Sequence, residues 1–182
     1  FALAFINFCG IVGSLGVGLW LPQIIKEFGL PSGQVGLVAA IPYLVAAVCM
    51  TLWSRKAAQS NRQVAYVVTA ILTAGVALAT SAFMQTPVIK MLAITLAVSS
   101  ILSFQATFWA IPSSFLTGRA AAGGLALIVS IGNLGGFVGP FAIGLIKEAT
   151  HGFQYPLVFL ACVLLLGGLT TLLLGNPAAH KR

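Results

Sequence analysis

The chain has 182 residues, of which 59% are hydrophobic and 6% charged, and a mean hydropathy of +1.07. A soluble domain carries about a quarter of its residues as charges, so this composition belongs in lipid. The net charge of +7 does not make it a nucleic-acid binder: nine basic residues scattered along the junctions form no basic face and read as membrane-topology charges.

Six apolar runs follow one another, each near the roughly 20 residues that cross a hydrocarbon core of about 30 Å. They cover residues 3–25, 35–54, 64–84, 90–116, 123–146 and 155–175. Phe1 opens directly onto the first run, with no basic leader or cleavage site before it. The sequence therefore reads as a piece of a longer chain and not as a signal peptide. The junctions are too short to separate two domains, which predicts one all-α integral membrane bundle over residues 1–182.

An even number of spans puts both ends on one side. That side collects Arg55, Lys56, Arg62, Arg119, Lys181 and Arg182, and the other holds Lys26, Lys90 and Lys147 with both acids, Glu27 and Glu148. Positive charge gathers in cytoplasmic loops, so both termini are expected inside. Trp20, Trp53, Tyr66 and Tyr155 fall near span ends, where amphipathic rings settle.

Span 1 carries Gly10, Gly13, Gly16 and Gly18 around Ser14, and span 2 holds Pro42-Tyr43 in its middle. Spans 3 and 6 are rich in Val, Ala and Leu, as expected of helices that face lipid or support the others. Span 4 is more polar, reading S-S-I-L-S-F-Q-A-T-F-W-A-I-P-S-S. Pro112 lacks a backbone donor there and should bend or break the helix.

Span 5 contains S-I-G-N-L-G-G-F-V-G-P-F-A-I-G. Gly132, Gly136 and Gly144 are spaced by multiples of four with Pro140 between them, and Gly135 and Gly139 make a second such pair. In water each helical glycine would cost roughly 1 kcal/mol. In a bilayer the backbone stays paired and small residues let a neighbouring helix come close. Two readings of the segment stand: a packing helix whose Asn133 bonds to a neighbour's backbone, or a cavity-lining helix with a hinge at Gly139-Pro140.

At 1.5 Å per residue, depth follows from distance to the junctions. Gln105 lies 15 residues from Lys90 and 13 from Gly118, about 20 Å from either. Asn133, Tyr43 and Ser14 come out at similar depth, whereas Asn7 falls nearer the inner surface. Unpartnered polar groups facing hydrocarbon cost several kcal/mol, so these four should point inward. Gln105, Trp109 and Ser113 are spaced by four and share a face. An amide, an indole and a hydroxyl on a kinked face can hold a small polar solute or can glue helices together.

No charged side chain lies deep in a span, which removes proton-relay carboxylates and any intramembrane metal ligand set from this piece. Cys9, Cys49 and Cys162 sit in apolar runs as buried thiols do, which argues against disulfides or a metal. Ser113 and Ser114 have no base at their depth, since His151 and His180 lie in a junction and the tail. No enzymatic site and no cofactor are expected. Lys147-Glu148 reads as a snorkelling interfacial pair.

F-W-A-I-P-S-S-F-L-T-G-R-A-A-A-G-G-L-A-L-I-V-S-I-G-N-L-G-G-F-V-G-P, from Phe108 to Pro140, resembles the major facilitator superfamily. Within it the sequence is similar to the anion:cation symporters, the tartrate-, phthalate- and hydroxyphenylacetate-permease-like branch. W-L-P-Q-I-I-K at Trp20 and Q-V-G-L-V-A-A-I-P-Y at Gln34 look like that family's seventh and eighth spans.

The resemblance covers essentially the whole chain. It implies the C-terminal six-helix half of a twelve-helix transporter, built from two inverted three-helix repeats that rock against the other half. It further implies a bacterial inner-membrane carrier of a small organic anion coupled to a proton or another cation. Substrate contacts from this half would come from spans 1, 4 and 5. The cationic anchor and the coupling acids would come from the N-terminal half.

Gln105, Trp109, Asn133, Tyr43 and Ser14 are then the candidate substrate residues, with Gly132, Gly136, Gly139, Pro140 and Pro112 as hinge or packing positions. Two departures stand out. Val129 occupies a position often held by Asn, and Ala58 stands where a loop acid is expected. They keep a rival reading open, a non-transporting interaction or sensor protein with the same fold.

Overall fold

The computed structural model describes residues 1–116 and 118–175, leaving aside the side chains of Phe115, Arg119 and Ala120. Arg119, His180, Lys181 and Arg182, named above as loop and tail residues, thus lie outside the described side chains. Helices α1 (Ala2–Lys26), α2 (Ser32–Ala58), α3 (Gln63–Phe83), α4 (Pro87–Phe108), α5 (Ala110–Phe115), α6 (Arg119–Thr150) and α7 (Gln154–Leu174) account for most of that chain. Six of its helical stretches are long and apolar enough to cross a membrane, with α4 and α5 together making one of them.

Each predicted span corresponds to one of these stretches, and the helices overrun most of the expected limits by a turn or less. Short caps close them. Gly29 ends the turn after α1 at φ 77°, and His151 takes the left-handed conformation at φ 54° after α6, where its N–H bonds the Lys147 carbonyl at 2.8 Å.

The fourth span is not one rod. α4 stops at Phe108 and α5 begins at Ala110, with Trp109 as the single residue between them. The cause is Pro112, which is buried. Its missing N–H is the one that would have bonded the carbonyl of Phe108, four residues back. In α6, by contrast, the helix runs unbroken through Gly139-Pro140.

The packing follows a pseudo-two-fold pattern. α1 lies along α6 and α2 along α4; α3 lies along α4 and α1 along α7; α3 and α7 lie against each other. Exchanging α1 with α4, α2 with α6 and α3 with α7 maps this set onto itself. An odd number of crossings separates the exchanged helices, so the two three-helix repeats are inverted with respect to the membrane, as in a half major-facilitator bundle.

α1 and α3 are the most buried spans, and α2 and α6 the least. α3 therefore serves as a supporting strut between α4 and α7. The core runs through Ile6, Leu21, Ile71, Leu78, Ile94, Phe104, Leu157 and Leu160.

Small residues set the closest approaches. A Cβ at Gly135 would stand 2.7 Å from the Phe8 carbonyl, and one at Gly139 would stand 2.8 Å from the Val12 carbonyl. One at Gly132 would collide with the Asn7 amide. The α1–α6 seam is thus backbone against backbone, which only glycine permits. Gly13 and Gly16 make room in α1 for the side chains of Leu164 and Leu160 of α7.

Candidate functional site

Two asparagines on the α1–α6 pair have opposite surroundings. Asn7 is 5% exposed, and its Nδ2 donates to the Ile128 carbonyl at 3.2 Å. Asn133 is exposed and makes no side-chain hydrogen bond among the described residues. The amide that glues α6 to a neighbour's backbone is therefore Asn7, one helix away from the position considered for that role. Sequence depth alone set Asn7 aside because it carries no information about which way a residue faces.

Asn133 belongs to a face of α6 that also carries Val129 and Phe137, all exposed and spaced by four. Phe137 and Phe141 stack on that side with ring centroids 5.3 Å apart. Gly136, three residues on from Asn133, meets Leu15 and Ile11 of α1. Ser14, next to Leu15, opens on the other flank of α1. There it lines a narrow crevice with Tyr43 of α2 and with Val98, Ile101 and Leu102 of α4. Tyr43 leans over α1 so that its hydroxyl would stand 3.2 Å from a Cβ at Gly18.

Gln105, half-buried, follows Ile101 and Leu102 by one turn of α4. Trp109 comes one turn later, at the break. It is 37% exposed and stands edge-on to Phe108 at 5.2 Å between centroids. Phe108 in turn packs on Phe104, whose ring closes over Gly10 of α1.

The structure brings Ser14 and Tyr43 into the lining of one crevice. Gln105 and Trp109 adjoin that crevice along α4, and Asn133 stands beyond α1 on α6. None of these five side chains makes a hydrogen bond among the described residues. The contrast with their neighbours is informative. Trp20 and Trp53 donate to the carbonyls of Pro140 and Tyr66 at 3.2 and 3.3 Å. Ser103, Thr107 and Thr171 turn back onto their own helices. The five candidates keep donors and acceptors free among the described residues, on α1, α2, α4 with the break that follows it, and α6. Such a set can hydrogen-bond and stack on a small polar solute, and it carries no charge of its own.

Lys147 and Glu148 do not pair. Consecutive helical residues point about 100° apart, and Lys147 reaches back to α1. Its ammonium donates to Gln23 Oε1 at 2.6 Å and lies 4.9 and 4.6 Å from the ring centroids of Trp20 and Phe153, while Glu148 stays exposed. Trp20 and Phe153 meet edge to face at 5.8 Å. Sequence reasoning missed this cage. The available signal was Gln23 three residues after Trp20 on one face, with a lysine and a phenylalanine bracketing the α6–α7 junction.

A six-span helical bundle of inverted repeats, with uncharged polar side chains left unbonded among the described residues, is a multi-pass membrane architecture. The Major Facilitator Superfamily model matches residues 3–182, and the chain belongs to that family.

Among curated relatives, a protein of Agrobacterium vitis named "Putative tartrate transporter" is 42% identical over 180 residues, which are 99% of this chain and 42% of that protein. A "Quinolone resistance transporter" of Acinetobacter baumannii is 39% identical over 157 residues, 86% of this chain and 36% of its own length. The "Putative metabolite transport protein NicT" of Pseudomonas putida is 28% identical over 163 residues, 88% of this chain and 37% of its own. The chain thus spans about two fifths of the relatives it matches.

Proposed function

We infer that the chain is the C-terminal half of a secondary carrier that moves a small organic anion across the cytoplasmic membrane by alternating access. A proton or another cation drives it, and both ends of this segment lie in the cytoplasm. The observation that carries this reading is the set of unbonded side chains on α1, α2, α4 and α6. Ser14, Tyr43, Gln105 and Asn133 are polar, mid-depth by sequence count and unsatisfied within the half-bundle, and Trp109, equally unbonded, stands one turn beyond Gln105. In lipid that is costly, and a wet cavity shared with an N-terminal half removes the cost.

The relatives named for tartrate transport support a carboxylate such as tartrate as cargo, and the family resemblance extends the class to aromatic acids. With no charge among the five residues, this half supplies hydrogen bonds and aromatic faces, and the cationic anchor falls to the other half. Gly132, Gly136 and Gly139 hold α6 against α1. Pro112 breaks the fourth span beside Trp109, and Pro140 with Gly139 is the candidate hinge in α6.

Uptake of labelled tartrate and a panel of aromatic acids by the full-length protein in proteoliposomes tests the reading. Accumulation that follows an imposed proton or sodium gradient is expected. Absence of any gradient-driven uptake across the panel overturns it. A second reading, a sensor that keeps the fold without transporting, draws on Val129, which is exposed one turn from Asn133 with no donor to offer. Substrate binding without transport would favour it.

A further inference from the structure

The membrane end that carries the α2–α3 junction has two shallow grooves, one on each side of the start of α3. The first, about 360 Å³, lies between α2, α3 and the α4–α5 break and is lined by Ser54, Arg55, Ala57, Ala58, Gln63 and Thr107. The second, about 420 Å³, lies between α3 and α7 and is lined by Arg62, Val64, Ala65, Val68, Leu172 and Gly175. In both, alkyl surface predominates, and among the described residues a single arginine supplies the charge. Both arginines are exposed.

Two further observations fix the surroundings. Trp53 and Tyr66 meet edge to face at 5.2 Å, and the Trp53 indole donates to the Tyr66 carbonyl. Such rings settle at the level of the lipid headgroups. Arg55 comes two residues after Trp53 and Arg62 four residues before Tyr66, so the arginines share that level and the apolar linings run beneath it. The chain's two acids, Glu27 and Glu148, follow the ends of α1 and α6 at the opposite face.

We propose that each groove seats one anionic phospholipid, with its phosphate on Arg55 or Arg62 and an acyl chain in the apolar lining below. Charge complementarity and the mixed lining select this occupant. A guanidinium grips a phosphate through two parallel hydrogen bonds, and the alkyl surface has no use for a soluble ion. In the first groove Ser54 and Gln63 stand beside Arg55 as further hydrogen-bonding groups.

The test counts lipids retained by the purified full-length protein. Native mass spectrometry with phosphatidylglycerol is expected to show one fewer retained lipid in Arg55→Gln, one fewer in Arg62→Gln and two fewer in the double variant. Lys26→Gln, at the opposite face, retains the wild-type number. Each arginine contributes about a fivefold preference for phosphatidylglycerol over phosphatidylcholine. Unchanged thermal unfolding of the variants in phosphatidylcholine nanodiscs shows that any loss is not misfolding.

Equal retention of phosphatidylcholine overturns the proposal. So does wild-type phosphatidylglycerol retention in the double variant, as it would if acids elsewhere in the protein engaged these arginines. Displacement of the lipid by millimolar inorganic phosphate would also overturn it, since it would make the site one for a soluble anion.

Discussion

Asn7 and Asn133 have the same side chain, lie in spans of similar greasiness and belong to two helices that touch. One is sealed in the seam and donates to the Ile128 carbonyl at 3.2 Å, and the other is exposed and free. The difference is which way the residue faces around the helix. Asn7 points at Gly132, where the absence of a side chain makes room for an amide. Asn133 sits one residue past that glycine and is turned about 100° away. An amide in an apolar run is therefore glue or wall according to whether a glycine faces it.

That contrast can be broken at the seam with the largest effect. Gly139→Leu drives a branched side chain into the Val12 backbone, 2.8 Å away for the Cβ alone. We expect a loss of about 3 kcal/mol of stability, near the upper end for overpacking, read as a lower unfolding temperature and poor recovery of the full-length protein.

The two asparagines should then separate by readout. Asn7→Ala removes an interhelical bond and is expected to cost about 1.5 kcal/mol, with transport per folded molecule little changed. Asn133→Ala is expected to leave stability within about 0.5 kcal/mol and to lower substrate affinity about tenfold, the loss of one hydrogen bond to a charged ligand. Reversal of these two outcomes would exchange the roles assigned here. The smallest effect belongs to Trp109→Phe, which keeps a ring and loses one N–H. About a threefold rise in KM is expected, equivalent to some 0.6 kcal/mol, with Gln105→Ala as the comparison on the same face.

The bundle itself was legible in the sequence because bilayer thickness imposes its length on every span, and apolar runs record that length directly. The break at Trp109 was legible for a local reason, since a proline withholds its donor four residues back wherever it stands. Span 5's glycines announced a close approach. The partner in that approach was not readable, because Gly139 meets Val12 across more than a hundred residues of chain.

For the same reason Lys147 was matched to its neighbour Glu148, when its ammonium reaches Gln23, 124 residues away. Depth could be counted from the junctions, and direction around each helix could not. Counting thus grouped four of the candidate residues by depth but gave no reason to look at Asn7, whose role depends on the direction it faces.

The three indoles of this segment occupy distinct situations. Those of Trp20 and Trp53 are tethered to carbonyls, and that of Trp109 has no such tether among the described residues. Their light emission should divide accordingly. The two tethered indoles are expected to report little, while the third, at the break in its helix, is expected to respond to a ligand that stacks beside it. The molecule thereby carries an optical probe at the break in its fourth span, readable as a spectral shift in a protein whose other indoles have been replaced by phenylalanine.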